Sequence, residues 1–251
     1  MTNQPTVLSV NVGRSAPVGG SKGGELSGID KAPTASISVR DPGDRATGAG
    51  SGVVGDAIVD RRHHGGERQA LYAVAREELD YWASELGREL PSGAFGENLT
   101  TTGIGVDALR IGSLLQIGGA PAGDDAAEPG QVVDSGRAID SGQPVVLEVC
   151  GPRIPCATFS AHLGERGWVK TFTARRRPGA YLAVRSPGQI VPGDVVALTQ
   201  APDHDITVAD LFAALSGDLD AARAVLAAGC LPTQDHDELA AKVARRTAGR
   251  S

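Results

Sequence analysis

Reactive side chains and a constrained backbone coincide at Gly151-Pro152-Arg153-Ile154-Pro155-Cys156. Two prolines restrict the chain that presents a cysteine beside an arginine. A neighbouring cation stabilises thiolate over thiol, and the thiolate is the metal-binding and nucleophilic form. Taken alone, Cys156 reads either as such a thiolate or as a small buried packing residue. A second cluster, Asp60-Arg61-Arg62-His63-His64-Gly65-Gly66, gathers side-chain cations and exposed backbone N–H groups as a phosphate site would, or forms a solvated basic turn. Its adjacent histidines point different ways in helix or strand and make a poor metal pair. In Phe95-Gly96-Glu97-Asn98-Leu99-Thr100-Thr101-Thr102-Gly103, Glu97 and Asn98 lie between turn and strand signals, where polar residues act as catalytic donors or simply bond locally. Arg175-Arg176-Arg177 either helps hold an anion or forms a solvated face. Cys150 and Cys230 read as packing residues, and His162, His204 and His236 have no companion spacing.

Short strands must position these groups. Thr6 to Val12 alternates apolar and polar residues and reads as a first strand, followed by a Gly/Pro/Ser-rich stretch to about Lys31. Ala35 to Arg40 reads as a second strand, and Asp41 to Gly52, with no apolar period, as a floppy surface loop. Leu79, Trp82 and Leu86 place a helix over Arg76 to Leu86, while Gln69 to Val74 is either helix start or strand. Three β-branched runs punctuated by Gly or Pro, at Leu109, Val145 and Gly188, argue for a closed or sandwiched β architecture. The acidic stretch from Ala120 to Gln143 reads as a mobile excursion between two of them. Beyond Pro202 the texture turns Ala/Leu-rich, predicting helices after Thr207, over Asp220 to Ala228 and over Asp237 to Arg246.

The bulk properties narrow the function. A net charge of −6 gives no footprint for polymeric nucleic acid or an anionic membrane surface. No apolar run approaches the roughly 20 residues of a membrane span, and the first five residues lack the start of a secretory signal, so a soluble, cytoplasmic protein is expected. Three cysteines without a C-x-x-C pair make neither a disulfide framework nor an iron–sulfur cluster within the chain. Electrons for any redox reaction must come from another molecule.

Val54-Gly55-Asp56, His64-Gly65-Gly66, Phe95-Gly96-Glu97-Asn98-Leu99, the Ile111-Gly112 strand and Pro152-Arg153-Ile154-Pro155-Cys156 occur in the order found in MOSC domain proteins. The chain resembles the bacterial stand-alone, YiiM-type branch of that family from about Val7 to Gln200. From Asp203 its tail resembles that branch's three-helix extension. The resemblance implies a mainly β, barrel-like domain with α additions over residues 1–202 and a helical unit over 203–251. It also implies the molybdenum cofactor, molybdopterin with its metal, with Cys156 as the protein thiolate on molybdenum. A soft thiolate suits a metal already held by dithiolene sulfur. Arg61, Arg62, Gly65, Gly66 and Arg153 become candidate partners of the cofactor's phosphate, with His64 and Asn98 nearer the pterin or substrate. At family level an association with pyridoxal phosphate is also implied. The long loops at Asp41 to Gly52 and Ala120 to Gln143 depart from the family pattern.

The expected reaction is reduction of small N-hydroxylated compounds, such as N-hydroxylated purine bases, by oxygen-atom removal. Cys156 ligates the metal, His64 and Glu97 are the proton donors, and an external electron donor or reductase recharges the site. The alternative is a non-catalytic carrier of the cofactor or of its sulfur. A third reading is a metal-free cysteine enzyme using Cys156 with His64, although no nucleophile elbow is present. The helical tail is either a reductase-docking surface or a homodimer contact.

Overall fold

The structure is a computed structural model that describes residues 4–19, 24–119 and 143–248. Its strands are β1 (Thr6–Gly13), β2 (Ala16–Pro17), β3 (Leu26–Ser27), β4 (Lys31–Thr34), β5 (Ile37–Val39), β6 (Leu71–Ala75), β7 (Leu99–Thr102), β8 (Leu114–Ile117), β9 (Val145–Pro152), β10 (Ala180–Ser186), β11 (Gly188–Ile190) and β12 (Val196–Gln200). The helices are α1 (Arg76–Leu86), α2 (Ala157–Leu163), α3 (Trp168–Arg175), α4 (Val208–Ser216), α5 (Leu219–Ala228) and α6 (Thr233–Ala248). Among these residues no helix is long and apolar enough to cross a membrane.

One eight-stranded sheet runs in the order β12-β8-β9-β10-β6-β7-β1-β4. Its pairs are antiparallel except β6 with β7, which are parallel and joined through α1. A parallel pair needs such a crossover, because a tight turn can only reverse the chain. Every residue of β6 is buried, which explains why Gln69 to Val74 carried no alternation to read: a turn over Glu67–Gln69 gives way to a strand covered on both faces. The sheet curls until the start of β1 meets the approach to β12. Thr6 bridges Val195, the Val7 N–H donates to the Asp194 carbonyl at 2.8 Å, and the Val196 N–H donates to that of Pro5 at 2.9 Å. The result is barrel-like without being a closed barrel, since β4 lies beyond β1 at the edge.

Two apolar cores result. Inside the curl, Val7, Val10, Leu99, Leu147, Val149 and Leu182 pack together, each essentially inaccessible to water. Val208, Leu211, Val225 and Leu239 of α4, α5 and α6 belong to the same cluster, so these helices complete the sheet's core. Each such aliphatic side chain contributes about 1.5–3 kcal/mol on burial. Thr207 begins α4 with a capping box, accepting from the Asp210 N–H while Asp210 accepts from the Thr207 N–H. The second core, outside the sheet, is aromatic: Trp82, Trp168, Phe95, Phe159 and Phe172 meet mostly edge to face, with centroids 4.7–6.3 Å apart.

That aromatic core rests on two helices the sequence did not announce. α2 and α3 span 7 and 8 residues, too few for a period to emerge, and α2 stops at Gly164 in the left-handed conformation. The stretch before Lys31 likewise holds β2 and β3, a minimal two-stranded pair. Segment 41–52 differs from the floppy loop expected: Ala49 N–H bonds to Pro42 O at 2.8 Å, Arg40 N–H to Gly52 O at 2.9 Å, and Gly52 N–H to Ala70 O at 2.8 Å. Its glycines permit close packing, since a Cβ on Gly52 would lie 2.6 Å from that of Ala70. The expected excursion at 120–143 falls, but for Gln143, outside the described residues.

Candidate functional site

A cavity opens between the β3–β4 segment, the turn at 57–65, β6, β10 and the loop after β9. Residues from five sequence regions meet there, including Lys31, His64, Asn98, Arg153 and Cys156.

Arg153 follows β9 and is 7 % exposed. Its guanidinium carbon lies 4.5 Å from the Phe159 ring centroid and 5.1 Å from that of Tyr72, and Nη1 donates to the Phe95 carbonyl at 2.9 Å. Aromatic faces and a carbonyl favour the cation without neutralising it. The Arg153 Nε has no partner among the described residues. Three residues on, Cys156 is half-buried on the cavity wall, where the chain turns into α2.

The opposite wall depends on Asp56. Its carboxylate is sealed from water and receives Lys31 Nζ, the Gly13 N–H at 2.8 Å, Ser51 Oγ at 2.9 Å and Asn98 Nδ2 at 3.1 Å. Lys31, Ser51 and Asn98 all line the cavity. Burial holds the Lys31 amine below the ordinary lysine range, with the Asp56 carboxylate working in the opposite direction. His64 is likewise held below the usual histidine range, first by burial and then by the charge of Arg153. Burial pushes the phenols of Tyr72 and Tyr181 up, so both remain protonated.

The cavity therefore gathers Cys156, Arg153, His64, Gly65 and Asn98 from the sequence-derived candidates. Others lie elsewhere. Glu97 is fully buried behind the wall, where its carboxylate accepts the Gly93 N–H at 2.5 Å, the Phe95 N–H at 2.9 Å and Thr100 Oγ1 at 3.0 Å. Gly96 and Asn98 line the cavity, and Glu97, expected as a proton donor, does not. Arg61 donates to the carbonyls of Gly48 and Ala49, and Arg62 is exposed; neither lines the cavity. Gly66 donates its N–H to Gly50 O at 2.8 Å, and a Cβ there would meet Arg45 at 2.8 Å, so this glycine serves loop packing. Asn98 also bonds inward, donating to Asn11 O and accepting from the Tyr72 N–H.

The Arg175–Arg177 run is consumed by ion pairs with Glu78 at 3.0 Å, Asp218 at 3.1 Å and Asp107 at 2.9 Å. It joins α3 to α1, to the start of α5 and to the turn at Val106–Ala108. Sequence reasoning missed Lys31, Ser51, Gln69, Tyr72 and Tyr181. Only Asp56 stood within a motif that could have flagged it.

The chain is 27 % identical over 154 residues to the uncharacterized protein YflK of Bacillus subtilis (strain 168), covering 61 % of this chain and 58 % of that one. It is 25 % identical over 142 residues to protein YiiM of Escherichia coli (strain K12), covering 55 % and 52 %. These matches span little more than half the length of the curated relatives. The crystal structure of YiiM from Geobacillus stearothermophilus superimposes with a TM-score of 0.66 at 21 % identity, over 95 % of this chain and 99 % of that one, which establishes a shared fold. The MOSC domain profile matches residues 60–197, and the chain belongs to the MOSC domain family, a family associated with the molybdenum cofactor.

Proposed function

We propose that the cavity holds the molybdenum cofactor, with Cys156 as the protein's thiolate on the metal, and that the chain reduces small N-hydroxylated compounds such as N-hydroxylated purine bases. The observation that carries this reading is the placement of Cys156 on the wall of a cavity that Arg153 also lines, its Nε without a partner among the described residues. The donor set fits. Among the described residues no three His, Cys, Asp or Glu side chains converge to cage a bare ion, whereas a metal arriving with its own sulfur ligands needs a single protein thiolate.

When bound, the cofactor would supply two-electron oxygen-atom transfer, with electrons replenished by an external donor. The chain's own residues have simpler tasks. Arg153 supplies positive charge for the cofactor's phosphate. Tyr72 and Tyr181, with ring centroids 5.3 Å apart, give a planar ligand aromatic wall. His64, kept neutral by burial, accepts a hydrogen bond near pH 7 and becomes a proton donor toward acid.

The test is to express wild type and Cys156→Ala in a cofactor-producing host and measure molybdenum and pterin per chain. Near-equimolar molybdenum lost in the variant supports ligation; metal-free protein in both rejects it. Catalysis is then read from turnover of an N-hydroxylated purine with an electron donor. An unchanged metal signal on adding both would assign the chain to cofactor carriage. A rise in turnover toward acid that disappears in His64→Ala supports its proton role, and one that persists removes it.

A further inference from the structure

Gln69 has a buried side-chain oxygen with no hydrogen-bond partner among the described residues, and it borders the cavity. The other buried side-chain atoms in that condition, apart from Arg153 Nε, belong to Trp82, Thr101, Ser113 and Trp168, none of which line the cavity. A buried amide oxygen left unpaired is costly to the fold, so its persistence in a residue that borders the cavity needs a reason. Gln69 is also fixed in place. It ends the turn Glu67–Gln69, its own N–H bonds to Gly66 O at 3.0 Å, and three residues later β6 delivers Tyr72 to the same wall.

We propose that the Gln69 carboxamide reads the edge of a nitrogen heterocycle in the cavity, one that carries an amino or N–H donor next to a ring-nitrogen acceptor. A carboxamide presents an acceptor and a donor side by side, and this pairing is how such side chains engage an aminopurine edge in two places. Exchanging the positions of its oxygen and nitrogen leaves the complementarity intact. Two ligands share this chemistry: the pterin of the cofactor and an aminopurine-like substrate or product. The proposal rests on reading this cavity as the cofactor and substrate site.

The experiment compares wild type, Gln69→Leu and Gln69→Glu from a cofactor-producing host, with two measurements on each. Pterin per chain is measured by fluorescence, and the affinities of adenine and of unsubstituted purine by calorimetry on the purified proteins. If the edge belongs to the pterin, Gln69→Leu loses pterin about tenfold. If it belongs to the base, pterin is retained, adenine binds about tenfold more weakly, and the purine lacking the amino group changes less than about twofold. Gln69→Glu, which keeps acceptors and loses the donor, shows the intermediate loss. Gln69→Leu with unchanged pterin and unchanged adenine affinity overturns the proposal, since an apolar side chain of similar size would then merely have relieved an unpaired atom. Failure of the cofactor reading itself appears separately, as absence of molybdenum from the wild type.

Discussion

Asp56→Ala is expected to destabilise the protein by about 5 kcal/mol. Losing one partner of a buried ion pair costs about 3–5 kcal/mol, because the remaining charge stays desolvated without its counter-charge. That figure applies here, since the Lys31 side chain is 5 % exposed and that of Asp56 is fully buried. The Gly13 N–H, Ser51 Oγ and Asn98 Nδ2 lose an acceptor as well, and each unpaired donor adds about 1 kcal/mol or more before neighbours relax. At about 2–4 °C per kcal/mol for a chain of this size, the melting temperature should fall by about 10–20 °C. Thermal and urea unfolding of wild type, Asp56→Ala, Lys31→Met and the double variant measure it. Lys31→Met should cost less than Asp56→Ala, because Asp56 then keeps three uncharged donors. The double variant should cost less than the sum of the singles by about 2 kcal/mol. Burial already holds the Lys31 amine low. In Asp56→Ala the unfolded chain therefore binds more protons than the folded one just below the ordinary lysine range, and stability should rise with pH across that window. A strictly additive cycle, or a melting temperature within about 3 °C of wild type, would refute the reasoning.

Glu97→Gln should lower stability by about 2 kcal/mol, because one of its oxygens becomes an NH₂ facing backbone N–H groups, while turnover per bound cofactor is preserved. Burial raises the Glu97 carboxyl, so its contribution is greatest in acid and is lost as pH rises through the folded value; the variant should lack that decline. Normal stability with abolished turnover would return Glu97 to the chemistry. Arg175→Met should cost about 2 kcal/mol near neutrality by stranding the buried Glu78 carboxylate. Because burial also pushes Glu78 up, the deficit should shrink in acid as that carboxyl protonates, and a deficit independent of pH in urea titrations would dismiss the pairing.

What the sequence made legible depended on the range of each interaction. The α1 pattern of Leu79, Trp82 and Leu86 and the alternation of β1 are written within single segments, and both elements stand where those patterns put them. α6 extends further, beginning at Thr233 instead of Asp237, because a polar first turn carries no apolar mark. α2 and α3 were invisible because their aromatic residues find partners in α1 and the Phe95 loop. The site divides the same way. Cys156 and Arg153 announce themselves through two prolines in one hexapeptide. The Asp56 hub joins donors at positions 13, 31, 51 and 98, and nothing local marks their convergence. Glu97 shows the converse, since its polarity in a turn satisfied the fold's own N–H groups.

The bridge from Thr6 to Val195 also sets an order of events in folding. β1 leaves the ribosome before the other described strands, yet one of its neighbours is synthesised only after nearly all of them. Non-local pairing of this kind is slow, because the ends of a long loop must be brought together before any contact rewards the entropy lost. The β6–α1–β7 unit and the α4–α5 pair involve near neighbours in sequence and can form quickly. Until Val195 arrives, the Val7 N–H lacks its Asp194 acceptor and the start of β1 is held only through β7, the condition in which strands find wrong partners. The vulnerable species of this protein is therefore the nascent chain, and chaperone demand should track the interval between synthesis of its first strand and its last.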